Sequence, residues 1–78
     1  MDKEQVRKLF ALTDREAEAW AAYITVMEEM KKVARAADDR VMGTYAKRLR
    51  EITDKYPDVL KGAMLKPMLE RIGLWPKE

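Results

Sequence analysis

Apolar residues recur at helical spacing through the middle of this chain, and this spacing constrains the fold more than any other feature. Between Trp20 and Tyr56 they fall three or four positions apart and keep to one face of a helix, at about 100° per residue. A continuous apolar face has to be buried against other helices or a second chain. The pattern predicts an all-helical protein whose apolar stripe consists of Trp20, Tyr23, Ile24, Met27, Met30, Ala34, Ala37, Val41, Tyr45, Leu49, Ile52 and Tyr56.

Residues 14–56 allow two interpretations. One continuous helix would be roughly 60 Å long at 1.5 Å per residue, and a partner chain would have to bury its stripe. A break at Ala37-Asp38-Asp39 would instead give an antiparallel hairpin of two helices. The charges favour the break, because each half begins with acidic residues and carries basic residues toward its end, as the helix dipole prefers. Asp38 would also lie on the stripe of a continuous helix, where a lone carboxylate is costly. We therefore favour the hairpin.

Two capping boxes predict where helices begin. Asp2 and Gln5 have the spacing in which each side chain bonds to the backbone of the other, so a short helix is predicted over residues 3–11. Thr13 and Glu16 repeat that spacing and predict the start of the long helical segment.

Prolines and a glycine predict the later boundaries. Pro57 ends the long segment, because the residue before a proline avoids helical geometry. An apolar face then continues from Leu60 to Gly73, a residue that commonly ends helices. Pro67 lies inside this run, so we expect a kink there or two short helices.

These elements predict one helical domain, residues 1–78: a small bundle built on a long antiparallel hairpin, with a short N-terminal helix and a kinked C-terminal helix. The stripe is long for so small a chain, so we expect self-association, most simply as a twofold homodimer. The expected centre of the core is Trp20, Tyr23, Ile24, Met27, Val41, Tyr45, Leu49 and Ile52. The residues expected to cover it are Val6, Phe10, Leu60, Met64 and Leu69.

The composition argues against catalysis. The sequence contains no cysteine, histidine, serine or asparagine, so the commonest general base, the commonest nucleophile and the thiolate and imidazole metal ligands are missing. We therefore predict no catalytic residues, no cofactor and no metal site, and we do not expect an enzyme.

The chain also lacks a membrane segment. Its longest run without a charged residue is nine residues, from Ala19 to Met27, whereas a membrane span needs about twenty. The charged N-terminus has no apolar segment of a signal peptide. We expect a cytoplasmic protein that does not bind membranes.

A basic stretch suggests one function. Residues 31–50 contain seven basic and two acidic side chains, a net charge of +5. Such a stripe could follow the phosphates of a nucleic acid, although the alternative is a solvated face that complements helix ends. Nucleic-acid binding is therefore the alternative hypothesis, with Lys31, Lys32, Arg35, Arg40, Lys47, Arg48 and Arg50 as candidate residues.

The leading hypothesis is a non-catalytic protein-interaction module, such as a small regulator, inhibitor or assembly factor. Trp75 follows the last predicted helix, so it either folds back over the core or anchors a partner. Methionines at helical spacing are typical of core filling, but adaptable methionine surfaces also suit partner binding. The candidate protein-binding residues are Trp75, Leu74 and Met68.

Overall fold

A computed structural model describes residues 2–74, without the side chains of residues 62–64. Within these residues the secondary structure is entirely α-helical, in agreement with the predicted fold class. The four helices are α1 (Lys3–Phe10), α2 (Asp14–Val33), α3 (Asp39–Lys55) and α4 (Gly62–Arg71).

Side chains cap the first three helices. The Asp2 carboxylate accepts a hydrogen bond from the backbone amide of Gln5, and the side-chain oxygen of Gln5 accepts one from the backbone amide of Asp2, each at 2.9 Å. Thr13 and Glu16 form the same reciprocal pair at the start of α2. Both predicted capping boxes are therefore confirmed. Hydrogen bonds to the charged Glu16 carboxylate stabilise its ionised form and lower its pKa.

The chain leaves helical geometry between Val33 and Asp39, so residues 14–56 are not one continuous helix. Asp38 caps α3, because its carboxylate accepts a hydrogen bond from the Val41 amide at 3.0 Å. A carboxylate that would have been costly on a continuous stripe is thus a helix cap facing solvent.

Helix α4 ends as expected. Gly73 has φ +77°, the left-handed conformation that favours glycine, and the Leu74 amide donates to the Leu69 carbonyl at 2.8 Å. Pro67 lies inside a single helix that continues to Arg71, so the alternative of two short helices is wrong. The kink at Pro67 stays a prediction.

The core gathers around residues 17–27 of α2. Trp20 and Ile24 are buried there with residues from α1, from the segment after α3 and from α4. The Trp20 and Tyr23 rings meet edge to face, with centroids 6.1 Å apart. The buried core cluster consists of Val6, Ala19, Trp20, Ile24, Tyr56, Leu60, Met68 and Leu69.

The predicted core was partly wrong. Val41 is 40% exposed, and Tyr45 and Leu49 are half-buried but do not join the core cluster. Val6, Leu60 and Leu69, predicted as covering residues, are fully part of it, whereas the Met64 side chain lies outside the described residues. The periodicity identified the correct faces but did not show which end of the stripe the short helices cover.

An arginine fork joins the start of α2 to the segment after α3. The Arg15 guanidinium donates two hydrogen bonds to the Asp58 carboxylate, at 2.9 and 3.2 Å, and lies 5.1 Å from the centroid of the Tyr56 ring. The hydrogen-bonded guanidinium holds the pKa of Asp58 below its usual value, and the pKa of Arg15 is raised correspondingly. This pairing lies at the surface and joins two positions that are 43 residues apart in the chain.

A matched pair of leucines tests where the core lies. Leu69 is 1% exposed, so we expect Leu69→Ala to lower the free energy of unfolding by about 2–5 kcal/mol. Leu49 is half-buried outside the core cluster, so Leu49→Ala should cost less than half as much. Urea unfolding followed by circular dichroism measures both, and equal losses would contradict a core that extends along α2 only as far as Met27.

Candidate interaction surfaces

Residues 28–51, named here the peripheral segment, form the least buried part of the protein. They include the end of α2, the connection and most of α3, yet none belongs to the core cluster or packs against it. None of the described residues between Val26 and Tyr56 is buried. Helix α3 packs mainly against α2. Its half-buried side chains all lie on one face and are Met42, Tyr45, Leu49, Ile52 and Thr53.

The predicted basic residues divide into two groups. Arg48 donates to the Glu29 carboxylate at 2.9 Å and lies 5.6 Å from the Tyr45 ring centroid. Lys31 donates to the Gly73 carbonyl at 3.2 Å. These two therefore have intramolecular roles. The other five candidates are exposed and have no ion pair, hydrogen bond or ring contact from their side chains in the described structure: Lys32, Arg35, Arg40, Lys47 and Arg50.

The free basic side chains are concentrated in one part of the protein. Outside residues 32–50, only Lys8 and Lys61 among the described residues lack such contacts. At helical spacing, Arg40 and Lys47 lie on the face of α3 that points away from α2. The structure thus places Arg40 and Lys47 on the outer side of α3, where helical spacing also puts the exposed acids Glu51 and Asp54.

The predicted protein-binding residues lie elsewhere. Met68 is only 8% exposed and belongs to the core, and Leu74 is half-buried against it. Neither side chain offers a broad surface to a partner in this conformation. Trp75 lies outside the described residues, and its role as an anchor stays a prediction.

An open groove of about 550 Å³ runs between α1, α2 and α3. Its floor is apolar and includes Ala22, Val26 and Ile52, while its rim carries both signs of charge. Lys3 on this rim donates to Asp14 at 3.0 Å, and that hydrogen bond raises the pKa of Lys3. The mixed rim favours neither an anionic nor a cationic ligand.

The described residues contain no cluster of carboxylates positioned to hold a metal ion. No charged side chain is buried among the described residues. Strong desolvation, which shifts the pKa of many catalytic groups, therefore does not act on any charged group in this part of the chain. Desolvation raises the pKa of Tyr23, which is half-buried beside the core.

None of the described helices combines the length and apolar character required to cross a bilayer.

Gly43 is a feature that the sequence analysis overlooked. It lies inside α3 on an exposed face, and no atom lies within 4 Å of the position that a Cβ would occupy. Glycine in a helix interior is less stable than alanine by about 1 kcal/mol, and nothing in the described structure requires it. The signal was present in the sequence as a lone glycine within a helical pattern.

Comparisons with protein-family models, with curated proteins and with solved structures find no match to this chain.

Replacement of this glycine gives a direct test. We expect Gly43→Ala to raise the free energy of unfolding by about 0.5–1 kcal/mol, because alanine restricts the unfolded chain and meets no atom in the folded one. Ala46→Gly, at another exposed position of α3, should produce a loss of similar size. Thermal unfolding at low protein concentration measures both, and a destabilised Gly43→Ala variant would show that the fold itself needs the glycine.

Proposed function

We propose that this protein is a non-catalytic protein-interaction module that binds a second copy of itself through the peripheral segment. The proposal is based on one observation: no described residue between Val26 and Tyr56 is buried. A helix in a small monomer is normally held by buried side chains on one face. Helix α3 has no buried side chain, although it contains four large apolar or aromatic residues: Val41, Met42, Tyr45 and Leu49.

The proposal includes an antiparallel hairpin formed by α2 and α3. Two observations support this orientation: Glu29, near the end of α2, pairs with Arg48, past the middle of α3, and Ala22 lines the same groove as Ile52, further along α3. An antiparallel arrangement would place later residues of α3 beside earlier residues of α2 in this way. Such a hairpin would present one long side of α3 to solvent.

Small size supports self-association as well. A domain of this length has a limited core, and a second copy supplies additional buried surface without any new sequence. Helix α3 is 17 residues long, roughly 25 Å at 1.5 Å per residue. A single pair of such helices buries less area than a typical stable interface of about 800 Å² per partner. We therefore expect a weak, reversible dimer.

Sedimentation equilibrium and hydrogen exchange together test this function. We expect a monomer–dimer equilibrium with a Kd in the micromolar to millimolar range, about −8 to −4 kcal/mol. As the protein concentration rises, backbone exchange should slow in α3, because dimerisation stabilises the segment that it covers. Exchange in α1 at residues 3–10 serves as the internal control. A monomer at about 1 mM, or slowing confined to α1, would contradict the proposal.

A second candidate function is binding of nucleic acid by the outer side of α3. It is favoured by the five free basic side chains within residues 32–50, compared with two elsewhere in the described structure. Phosphate contacts of this kind give affinity without sequence preference and depend strongly on salt. The described face has no free aromatic ring between these cations to stack on a base.

Matched double variants test this candidate. If the outer side of α3 contacts duplex DNA, Arg40→Gln/Lys47→Gln should reduce the slope of log affinity against log salt by about 1.8, because each lost phosphate contact removes roughly 0.9. Lys8→Gln/Lys61→Gln removes the same charge from free side chains outside the peripheral segment and should leave the slope unchanged. Fluorescence anisotropy at several salt concentrations measures it. Equal effects of the two double variants, or no binding, would argue against this face.

A further inference from the structure

One edge of α3 has a charge order that suits pairing with itself. Asp39, Gly43, Ala46 and Arg50 are spaced by four, three and four residues, so they form a line along the helix. All four are exposed, whereas the face toward α2 carries the half-buried Met42 and Leu49. We name this line the Asp39–Arg50 edge. It has an acid near the start of the helix, a base toward the end and two small residues between them.

We propose that the Asp39–Arg50 edge is the dimer contact, paired antiparallel with the same edge of a second copy about a twofold axis between Gly43 and Ala46. This inference rests on the self-association proposed above and specifies its geometry. The axis places Asp39 of each chain opposite Arg50 of the other, and Gly43 opposite Ala46. A twofold axis repeats every contact, so the dimer would contain two pairs of Asp39 with Arg50.

Charge complementarity carries the inference. Neither Asp39 nor Arg50 has an ion pair or side-chain hydrogen bond within the described part of the chain. Antiparallel pairing gives both a partner, and it also places the positive N-terminal end of each α3 beside the negative C-terminal end of the other. A parallel pairing would bring acid against acid and base against base.

The opposite edge of α3 is a poorer candidate for self-pairing. Val41, Arg48 and Lys55 are spaced by seven residues and lie along that edge. An antiparallel copy centred there would bring Arg48 against itself, and Arg48 is already paired with Glu29. Opposition of like charges in an interface disfavours that pairing.

Gly43 has a role in the proposed dimer that it lacks in the single chain. The space around the position of its missing Cβ is open, with no atom within 4 Å. Opposite Ala46 of a second copy, this open surface allows the two helix backbones to approach closely. Close approach shortens the distance between Asp39 and Arg50 across the axis, so the glycine and the charge pairs act in the same arrangement.

Charge reversals test the geometry through mixed dimers. Asp39→Arg places base opposite base in its own dimer, and Arg50→Asp places acid opposite acid, so each variant alone should dimerise at least threefold more weakly than the natural chain. An equimolar mixture of the two should form heterodimers, because both cross-chain pairs are again of opposite sign. The double variant Asp39→Arg/Arg50→Asp should recover self-association.

Sedimentation at low salt, with one variant carrying a fluorescent label, measures all four cases. Lys8→Asp is the matched control for Arg50→Asp, because Lys8 is an exposed base outside the peripheral segment, and it should dimerise like the natural chain. If the chain dimerises but the reversals have no effect, or the mixture does not form heterodimers, the proposed edge is wrong while self-association stands. If the natural chain does not dimerise at all, both proposals fail.

Discussion

Helix α2 is longer than the helices that cover it, and the rest of the structure depends on that mismatch. It has 20 residues, compared with 8 in α1 and 10 in α4. The core cluster therefore extends along α2 only as far as Met27, which packs against its edge. Beyond this point the end of α2 pairs with α3 through Glu29 and Arg48, and Lys31 donates a hydrogen bond to the Gly73 carbonyl. The protein consequently has a well-buried end and a sparsely buried one.

The two ends use different interactions. The buried end depends on large apolar side chains, and the Arg15–Asp58 fork at its surface, which joins positions 43 residues apart in the chain, is itself more than half exposed. In the peripheral segment, a cross-helix ion pair joins Glu29 and Arg48, both about half exposed. Exposed ion pairs contribute about 0–1 kcal/mol, so this end depends mainly on partial burial of Tyr45, Leu49 and their neighbours against α2.

Local signals in the sequence were sufficient to predict most helix boundaries. The capping boxes at Asp2 and Thr13 and the helix end at Gly73 are formed by residues less than six positions apart. All partners in these interactions can therefore be read from a short stretch of sequence. The core was harder to predict. Helical spacing shows which face of α3 is apolar, but not that the short helices cover α2 only as far as Met27; this is why Val41 was wrongly placed in the core.

The candidate surfaces could be predicted only in part, for the same reason. Net charge identified residues 31–50 as basic, but only the folded arrangement shows that Lys31 and Arg48 are engaged and that Arg40 and Lys47 are free. The regular spacing of the residues that form the Asp39–Arg50 edge can be read from the sequence alone. It becomes a candidate interface once α2 is known to occupy the adjacent face of the helix.

The run without buried residues also affects how the protein unfolds. Opening the end of α2 together with α3 exposes little apolar surface, whereas opening the Trp20 end exposes most of what the chain buries. We therefore expect local opening of the peripheral segment to cost less free energy than opening of the Trp20 end. Proteases that cleave transiently opened chains would cut this segment first and leave the Trp20 end folded for longer.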